Sequence, residues 1–138
     1  MNNRYIFRGK RKDNGEWVEG FLSKSRGENK QLELCIDHEE KGVMCSSIVI
    51  PKTVGQCTGL EDKNGKLIFE GDIIKTKKYG RDIGHSNVNN FDIFKVIYEP
   101  AVFRLKNVRR GFNLVGNGND FEVIGNVMDN SELLEVER

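Results

Sequence analysis

The sequence is poor in proline and in long apolar runs, and it holds an odd number of cysteines. Two prolines stand against fifteen glycines, which favours short extended segments joined by tight turns, since glycine reaches positive φ without steric cost. No stretch approaches the roughly 18 apolar residues of a membrane span, and the opening residues hold no apolar run of the signal-peptide kind. We therefore expect a cytoplasmic protein with no membrane partner, in which Cys35, Cys45 and Cys57 are reduced thiols.

A strong excess of charge of either sign is also missing, because the formal net charge is +1. The charges are nevertheless unevenly distributed. Residues 1–30 carry eight basic and four acidic side chains, whereas residues 120–138 carry six acidic side chains and one basic side chain. Oppositely charged ends could pair between copies of the chain, or the acidic end could fold back on residues 4–12.

Alternating apolar residues predict a mostly β fold. Residues 4–8, 17–22, 31–36, 43–50, 58–60, 67–69, 72–78, 91–98, 101–106, 112–115 and 121–127 have strand character. Asn14-Gly15 and Asn64-Gly65 predict hairpins and favour type I′ turns, in which both central residues take positive φ. Residues 79–90 predict a flexible loop and residues 131–137 a short helix. Trp17 and Phe21 share a strand face, so both are expected to be packed.

Four blocks of sequence carry a family resemblance through their order and spacing. They are residues 4–8 with 17–21, residues 49–56, residues 58–74 and residues 123–134. In this combination the chain resembles the YopX family of phage and prophage proteins. The resemblance implies one mostly β domain over residues 1–138, with an N-terminal β-hairpin region at 1–57. It implies a Src-homology-3-like small barrel in the C-terminal half, at 58–138, and a short C-terminal helix. It also implies a source in a bacterium or its phage, and it implies no established activity.

Candidate catalytic carboxylates are few. Asp62 and the segment Glu70-Gly71-Asp72 could supply a carboxylate pair, which would need convergence in a cleft. We favour a structural interpretation, in which Asp62 caps its own turn through backbone hydrogen bonds and Gly71 takes a conformation that is barred to other residues. We predict no catalytic residue.

A metal or cofactor site is not predicted either. Four side chains could ligate zinc or supply a nucleophilic pair, but only one half of the set has the spacing of a zinc knuckle. These side chains are Cys35, His38, Cys45 and Cys57. The glycines at 116 and 118 precede neither a lysine nor a convincing helix, so a phosphate-binding loop is absent.

Two basic clusters, at 75–81 and 104–110, are the strongest indication of a ligand. Lysine and arginine could neutralise phosphates while neighbouring aromatic rings stack on bases. The residues are Lys75, Lys77, Lys78, Tyr79, Arg81, Arg104, Lys106, Arg109 and Arg110, with Phe103 and Phe112 interleaved. Nucleic-acid binders are usually strongly basic overall, which this chain is not.

Three function classes follow from these observations. The first is a non-enzymatic protein-interaction module, which we expect to form a homo-oligomer through exposed strand edges or to bind an unknown phage or host protein. The second is a nucleic-acid-binding accessory protein that uses the two basic clusters. An enzyme is the third, and we do not expect one because no catalytic constellation is visible.

Overall fold

The protein is mostly β, as the composition and the alternation of apolar residues predicted. The computed structural model describes residues 3–76, 92–99, 101–107, 111–114 and 120–135. The strands are β1 (Phe7–Lys10), β2 (Trp17–Arg26), β3 (Leu32–Glu40), β4 (Val43–Ile48), β5 (Gly55–Glu61), β6 (Leu67–Phe69), β7 (Asp72–Thr76), β8 (Asp92–Glu99), β9 (Val102–Lys106), β10 (Gly111–Asn113) and β11 (Glu122–Asn126). Short 3₁₀ turns span Asn3–Tyr5 and Pro51–Thr53, and the predicted C-terminal helix is present as α1 (Glu132–Glu135).

The chain divides into two compact units, Met1–Cys57 and Thr58–Arg138. In the first unit the strands follow the order β4-β3-β2-β1-β5, and every pair is antiparallel. β5 crosses the boundary between the units, and its later residues lie beside β6. None of the helices in the part of the chain that the structure describes has the length and apolar character needed to cross a bilayer.

The long strand β2 changes partner at Gly20. Residues 17–20 pair with β1, and residues 21–26 pair with β3. A Cβ atom placed on Gly20 would lie far inside van der Waals contact with the backbone carbonyl of Asp37. Glycine is therefore required here by a close approach of two backbones, which a side chain would prevent.

The second unit is built on a five-stranded antiparallel sheet with the order β10-β9-β8-β7-β11. Side chains alternate across it, and one face carries the fully buried core. The core residues are Ile68, Ile74, Phe94, Val96, Leu105 and Phe121. Each such side chain contributes about 1.5–3 kcal/mol by leaving water. Among the described residues no strand pair joins β10 to β11, so the sheet is not closed by backbone pairing there.

Three local expectations were wrong. Residues 3–5 form a 3₁₀ turn rather than the start of a strand. Asn14 and Asn64 have negative φ, and only Gly15 and Gly65 have positive φ, because each loop is longer than two residues and needs one left-handed position. The type I′ signature of two positive φ values lies instead at Lys41-Gly42, between β3 and β4.

The third error concerns the packing of β2. Phe21 is 52% exposed, although Trp17 on the same face is half-buried. Phe21 lies just beyond the change of partner, where its cross-strand neighbour is Asp37 rather than a residue of β1. The Asp37 carboxylate accepts hydrogen bonds from the hydroxyls of Ser23 and Ser46, so this part of the face is polar. The predicted loop at residues 79–90 lies outside the described residues.

Candidate functional site

Asp62 stabilises the turn of the β5–β6 hairpin through backbone hydrogen bonds, which is a structural role. Its Oδ1 accepts hydrogen bonds from the backbone N–H of Asn64 at 2.8 Å and of Lys66 at 2.9 Å, and its Oδ2 accepts one from Val123 at 3.0 Å. Burial raises the pKa of Asp62, but these donors outweigh it, so the pKa lies below its ordinary value. The predicted turn cap is confirmed, and it also ties the hairpin to β11.

The other two candidate carboxylates flank a glycine that has the predicted positive φ. Gly71 has a φ of 93°, which confirms the expected backbone role. Its N–H donates to the carbonyl of Val96, and its carbonyl accepts from Val127. Asp72 is only 1% exposed, and its Oδ2 accepts from the backbone N–H of Phe69 at 2.7 Å. The carboxylates of Asp62 and Asp72 are thus engaged by backbone donors.

The described part of the two basic clusters places its charges on one face of the five-stranded sheet. Lys75 lies on β7, and Arg104 and Lys106 lie on β9. The strand register puts all three on the face opposite the core. Predicted residues Lys77, Lys78, Tyr79, Arg81, Arg109 and Arg110 lie outside the described residues.

The same register adds a cation that the sequence analysis missed. Lys95 on β8 lies directly opposite Lys106 and on the face of Lys75 and Arg104. The sequence indicates this cation only through the alternation of Ile93, Lys95 and Ile97, because Lys95 stands outside both basic clusters. Acidic neighbours moderate this face: Lys75 Nζ lies 3.7 Å from Glu122 Oε1, and Arg104 Nη1 lies 3.5 Å from Glu99 Oε1.

The expected interleaving of aromatic rings with the cations is wrong for Phe103. Residues alternate between the faces of a strand, so Phe103 lies on the opposite face from Arg104. It packs against the core and pairs with Tyr98, with ring centroids 4.9 Å apart. Phe103 cannot stack on a base that is held by Arg104 and Lys106.

The four side chains considered as zinc ligands are not brought together. Cys35 and His38 are three residues apart on β3 and so face opposite sides of the sheet. Cys35 is 1% exposed, and burial, with smaller effects of Asp37 and Glu33, raises the pKa of its thiol. Cys57 is fully buried on β5. Only His38 and Cys45 face each other, as a cross-strand pair of β3 and β4.

The outer edge of β4 is exposed along its first residues, whereas residues 10–12 lie beside its far end, where Arg11 is bridged to Val49. β4 ends the strand order there, and Val43 and Met44 are 64% and 61% exposed. The N–H of Val49 donates to the carbonyl of Leu34, which fixes the alternation of hydrogen-bonded pairs along β3 and β4. The backbone groups of Met44 and Ser46 therefore point away from β3.

Comparison with known proteins identifies the family. Residues 6–135 match the family described as YopX protein. The chain belongs to the YopX family. No curated protein is similar to it in sequence.

Two solved structures share the fold of this YopX-family chain. Protein YopX from Bacillus subtilis is 20% identical, with a TM-score of 0.56, and the match covers 97% of each chain. Protein EF1440 from Enterococcus faecalis is 22% identical, with a TM-score of 0.53, and the match covers 93% of this chain and 96% of that one. These likenesses extend over nearly the whole length of each chain, and they establish the fold alone.

Proposed function

We propose that this YopX-family chain is a non-enzymatic protein-interaction module that assembles by adding a strand to the outer edge of β4. Its first partner in this proposal is a second copy of the same chain. The observation that supports it is an edge strand of six residues, Val43–Ile48, with no charged side chain and no proline. Natural proteins usually place such residues on free edges to prevent pairing.

The other strands that end a sheet have the protection that β4 lacks. β6 and β10 are three residues long, too short to offer a ladder. β11 carries Glu122 and an irregularity between Val123 and Gly125, and bulges of this kind turn an edge away from pairing. β4 is therefore the edge on which strand addition meets the fewest obstacles.

Strand addition at β4 would satisfy backbone groups that face solvent. Met44 and Ser46 each present an outward N–H and C=O, and at the far end of the strand the Ile48 carbonyl already accepts from the N–H of Lys12. Two copies related by a two-fold axis would pair β4 with β4 in antiparallel fashion, which makes a closed dimer rather than a filament. The exposed side chains of Val43 and Met44 would lose apolar surface to the partner.

Sedimentation equilibrium tests this proposal. The wild-type chain should show a concentration-dependent rise from monomer to dimer mass. Met44→Lys places a charge on the edge and should raise the dissociation constant at least about tenfold, because like charges across a strand pair are destabilising. Leu32→Lys is the matched control, since Leu32 is 57% exposed but lies on β3. A monomer at every concentration, or equal weakening by both variants, would reject edge pairing.

A second candidate function rests on the cationic face of the five-stranded sheet. Lys75, Lys95, Arg104 and Lys106 share this face, and such a group could neutralise the phosphates of a nucleic acid. Binding of a labelled single strand should weaken steeply with salt, and Lys95→Gln with Lys106→Gln should reduce the salt dependence. Absence of binding at low ionic strength would eliminate this function.

We also propose a phage or prophage origin, action in the bacterial cytoplasm and a Src-homology-3-like second unit. The origin and location rest on membership of the YopX family. The likeness to a small barrel rests on the order β11-β7-β8-β9-β10. In this order β7, the first strand of the sheet along the chain, pairs with both the next strand, β8, and the last strand, β11. Detection of the intact chain in the cytoplasmic fraction of its host would test the location.

A further inference from the structure

Three metal-ligating side chains converge at the end of the β3–β4 hairpin. His38 Nδ1 lies 3.8 Å from Glu40 Oε1 and 4.0 Å from Cys45 Sγ. One ligand atom from each of the three residues lies within 4.8 Å of the others. An imidazole nitrogen, a thiolate and a carboxylate form a donor set that suits zinc rather than magnesium or calcium, which prefer oxygen ligands only.

The hairpin itself holds these side chains together. Lys41 and Gly42 have φ values of 51° and 82°, the combination of a two-residue type I′ turn. This turn fixes Glu40 opposite Val43 and His38 opposite Cys45. Glu40 lies two residues from His38 and so shares its face. The three donors thus come from a short, hydrogen-bonded element and not from separate loops.

A neighbouring hydroxyl orients the imidazole for metal binding. His38 is 8% exposed, and its Nε2 lies 2.7 Å from Ser47 Oγ. Ring nitrogens that bind metal usually have the other nitrogen held by a hydrogen bond, which fixes the tautomer and the direction of the ring. In the tautomer whose Nε2–H donates to Ser47 Oγ, Nδ1 carries the free lone pair, with Glu40 Oε1 3.8 Å away. Cys45 Sγ lies 4.0 Å from both ring nitrogens.

Arg11, which contacts the Glu40 carboxylate, has a second acidic partner and can give up this contact. Arg11 Nη1 lies 3.3 Å from Glu40 Oε1, but Arg11 also holds Asp13 through two hydrogen bonds, of 3.1 and 2.9 Å. If Glu40 turned to a metal ion, Arg11 would keep this bidentate pair. Glu40 is half exposed, so an ion can reach the cluster from solvent.

We propose that His38, Glu40 and Cys45 bind a divalent zinc ion, with the fourth position open to water. A tetrahedral site with ordinary zinc bond lengths places its nitrogen, sulfur and oxygen ligands about 3.4–3.6 Å apart. The separations of 3.8 and 4.0 Å need a contraction of a few tenths of an ångström, and the Glu40 and Cys45 donors, which lie within 4.8 Å of each other, must approach by up to about 1.2 Å. The thiolate and the carboxylate together balance the charge of the ion.

The test uses the full chain, with any polyhistidine tag removed and thiols kept reduced. Titration with zinc alone, followed by calorimetry, should show one ion bound per chain. Titration with cobalt should produce the thiolate-to-metal charge-transfer band in the near ultraviolet, and Cys45→Ser should abolish that band. A chain that binds no zinc, or a cobalt band that survives in Cys45→Ser, would overturn the proposal.

Matched variants separate metal binding from folding. Glu40→Gln should weaken zinc binding by about tenfold or more, as loss of even a supporting residue does. Glu39→Gln makes the same change of charge one residue away, on the opposite face of β3, and should leave the affinity unchanged. Ser47→Ala should weaken binding by about tenfold through the loss of the imidazole orientation. Equal affinities for Glu40→Gln and Glu39→Gln would contradict the assignment.

Discussion

Replacement of Asp62 by alanine should destabilise the second unit strongly, because a single carboxylate accepts several backbone hydrogen bonds that the variant loses. Three backbone N–H groups donate to it, two from the hairpin turn and one from Val123 on β11. A hydrogen bond to a charged acceptor contributes about 1.5–3 kcal/mol. In the variant the two turn amides can bond to water, so we expect a loss of about 3 kcal/mol in unfolding free energy rather than the full sum.

The same carboxylate gives the effect a pH dependence of known sign. The pKa of Asp62 is lowered in the folded protein, chiefly because its backbone donors outweigh the cost of burial. Its contribution is therefore fully present above the unfolded-state pKa, near 4, and is lost as the pH falls through the lower folded-state value. The difference in unfolding free energy between wild type and Asp62→Ala should shrink as the solution is acidified below about pH 4.

Urea unfolding followed by circular dichroism measures both effects. Asp13→Ala is the matched control, since Asp13 is an exposed loop aspartate whose side chain pairs with Arg11. It should change the unfolding free energy only slightly, because an exposed ion pair adds little to stability. If Asp62→Ala costs no more than Asp13→Ala, or if its cost does not change with pH, the assignment of Asp62 as the tie between hairpin and β11 is wrong.

Two further substitutions test the first unit. Trp17→Ala should cost about 2–3 kcal/mol, less than the loss of a fully buried ring, because the indole is only half-buried. Its ring lies beneath the cations of Arg8 and Lys10, whose Cζ and Nζ atoms are 4.9 and 5.5 Å from the ring centroid. Denaturant midpoints that do not move would show that the ring is dispensable. Gly20→Ala should cost about 2–3 kcal/mol or prevent folding. Gly27→Ala should be tolerated, because its new Cβ would come too close only to the end of the Glu33 side chain, which can turn aside more easily than the backbone of Asp37. Thermal unfolding that ranks the two variants in the opposite order would refute the close approach at Gly20.

Local chemistry predicted most of the strands. Alternation located β3, β4 and the strands of the second unit to within a few residues, because one buried face imposes a period of two. Asp62 and Gly71 were also predictable, since a turn carboxylate and a glycine after a strand have few alternative roles. These features depend on contacts within a short stretch of chain.

Features that depend on strand pairing were not predictable from the sequence. The exposure of Phe21 follows from a change of partner at Gly20, which alternation cannot reveal. Lys95 joins the cationic face only through the register of β8 with β7 and β9. The meeting of His38 with Cys45 requires the type I′ turn at Lys41-Gly42, and a lysine before glycine is a weaker turn signal than an Asn-Gly pair.

Amide hydrogen exchange along β4 tests the proposed edge pairing most directly. The N–H groups of Met44 and Ser46 point away from β3, whereas those of Cys45 and Ser47 point toward it. We predict that Cys45 and Ser47 are protected at all protein concentrations, while Met44 and Ser46 become protected only as the concentration rises into the range of the dimer. Rapid exchange of Met44 and Ser46 in a sample that sedimentation shows to be dimeric would contradict assembly through β4.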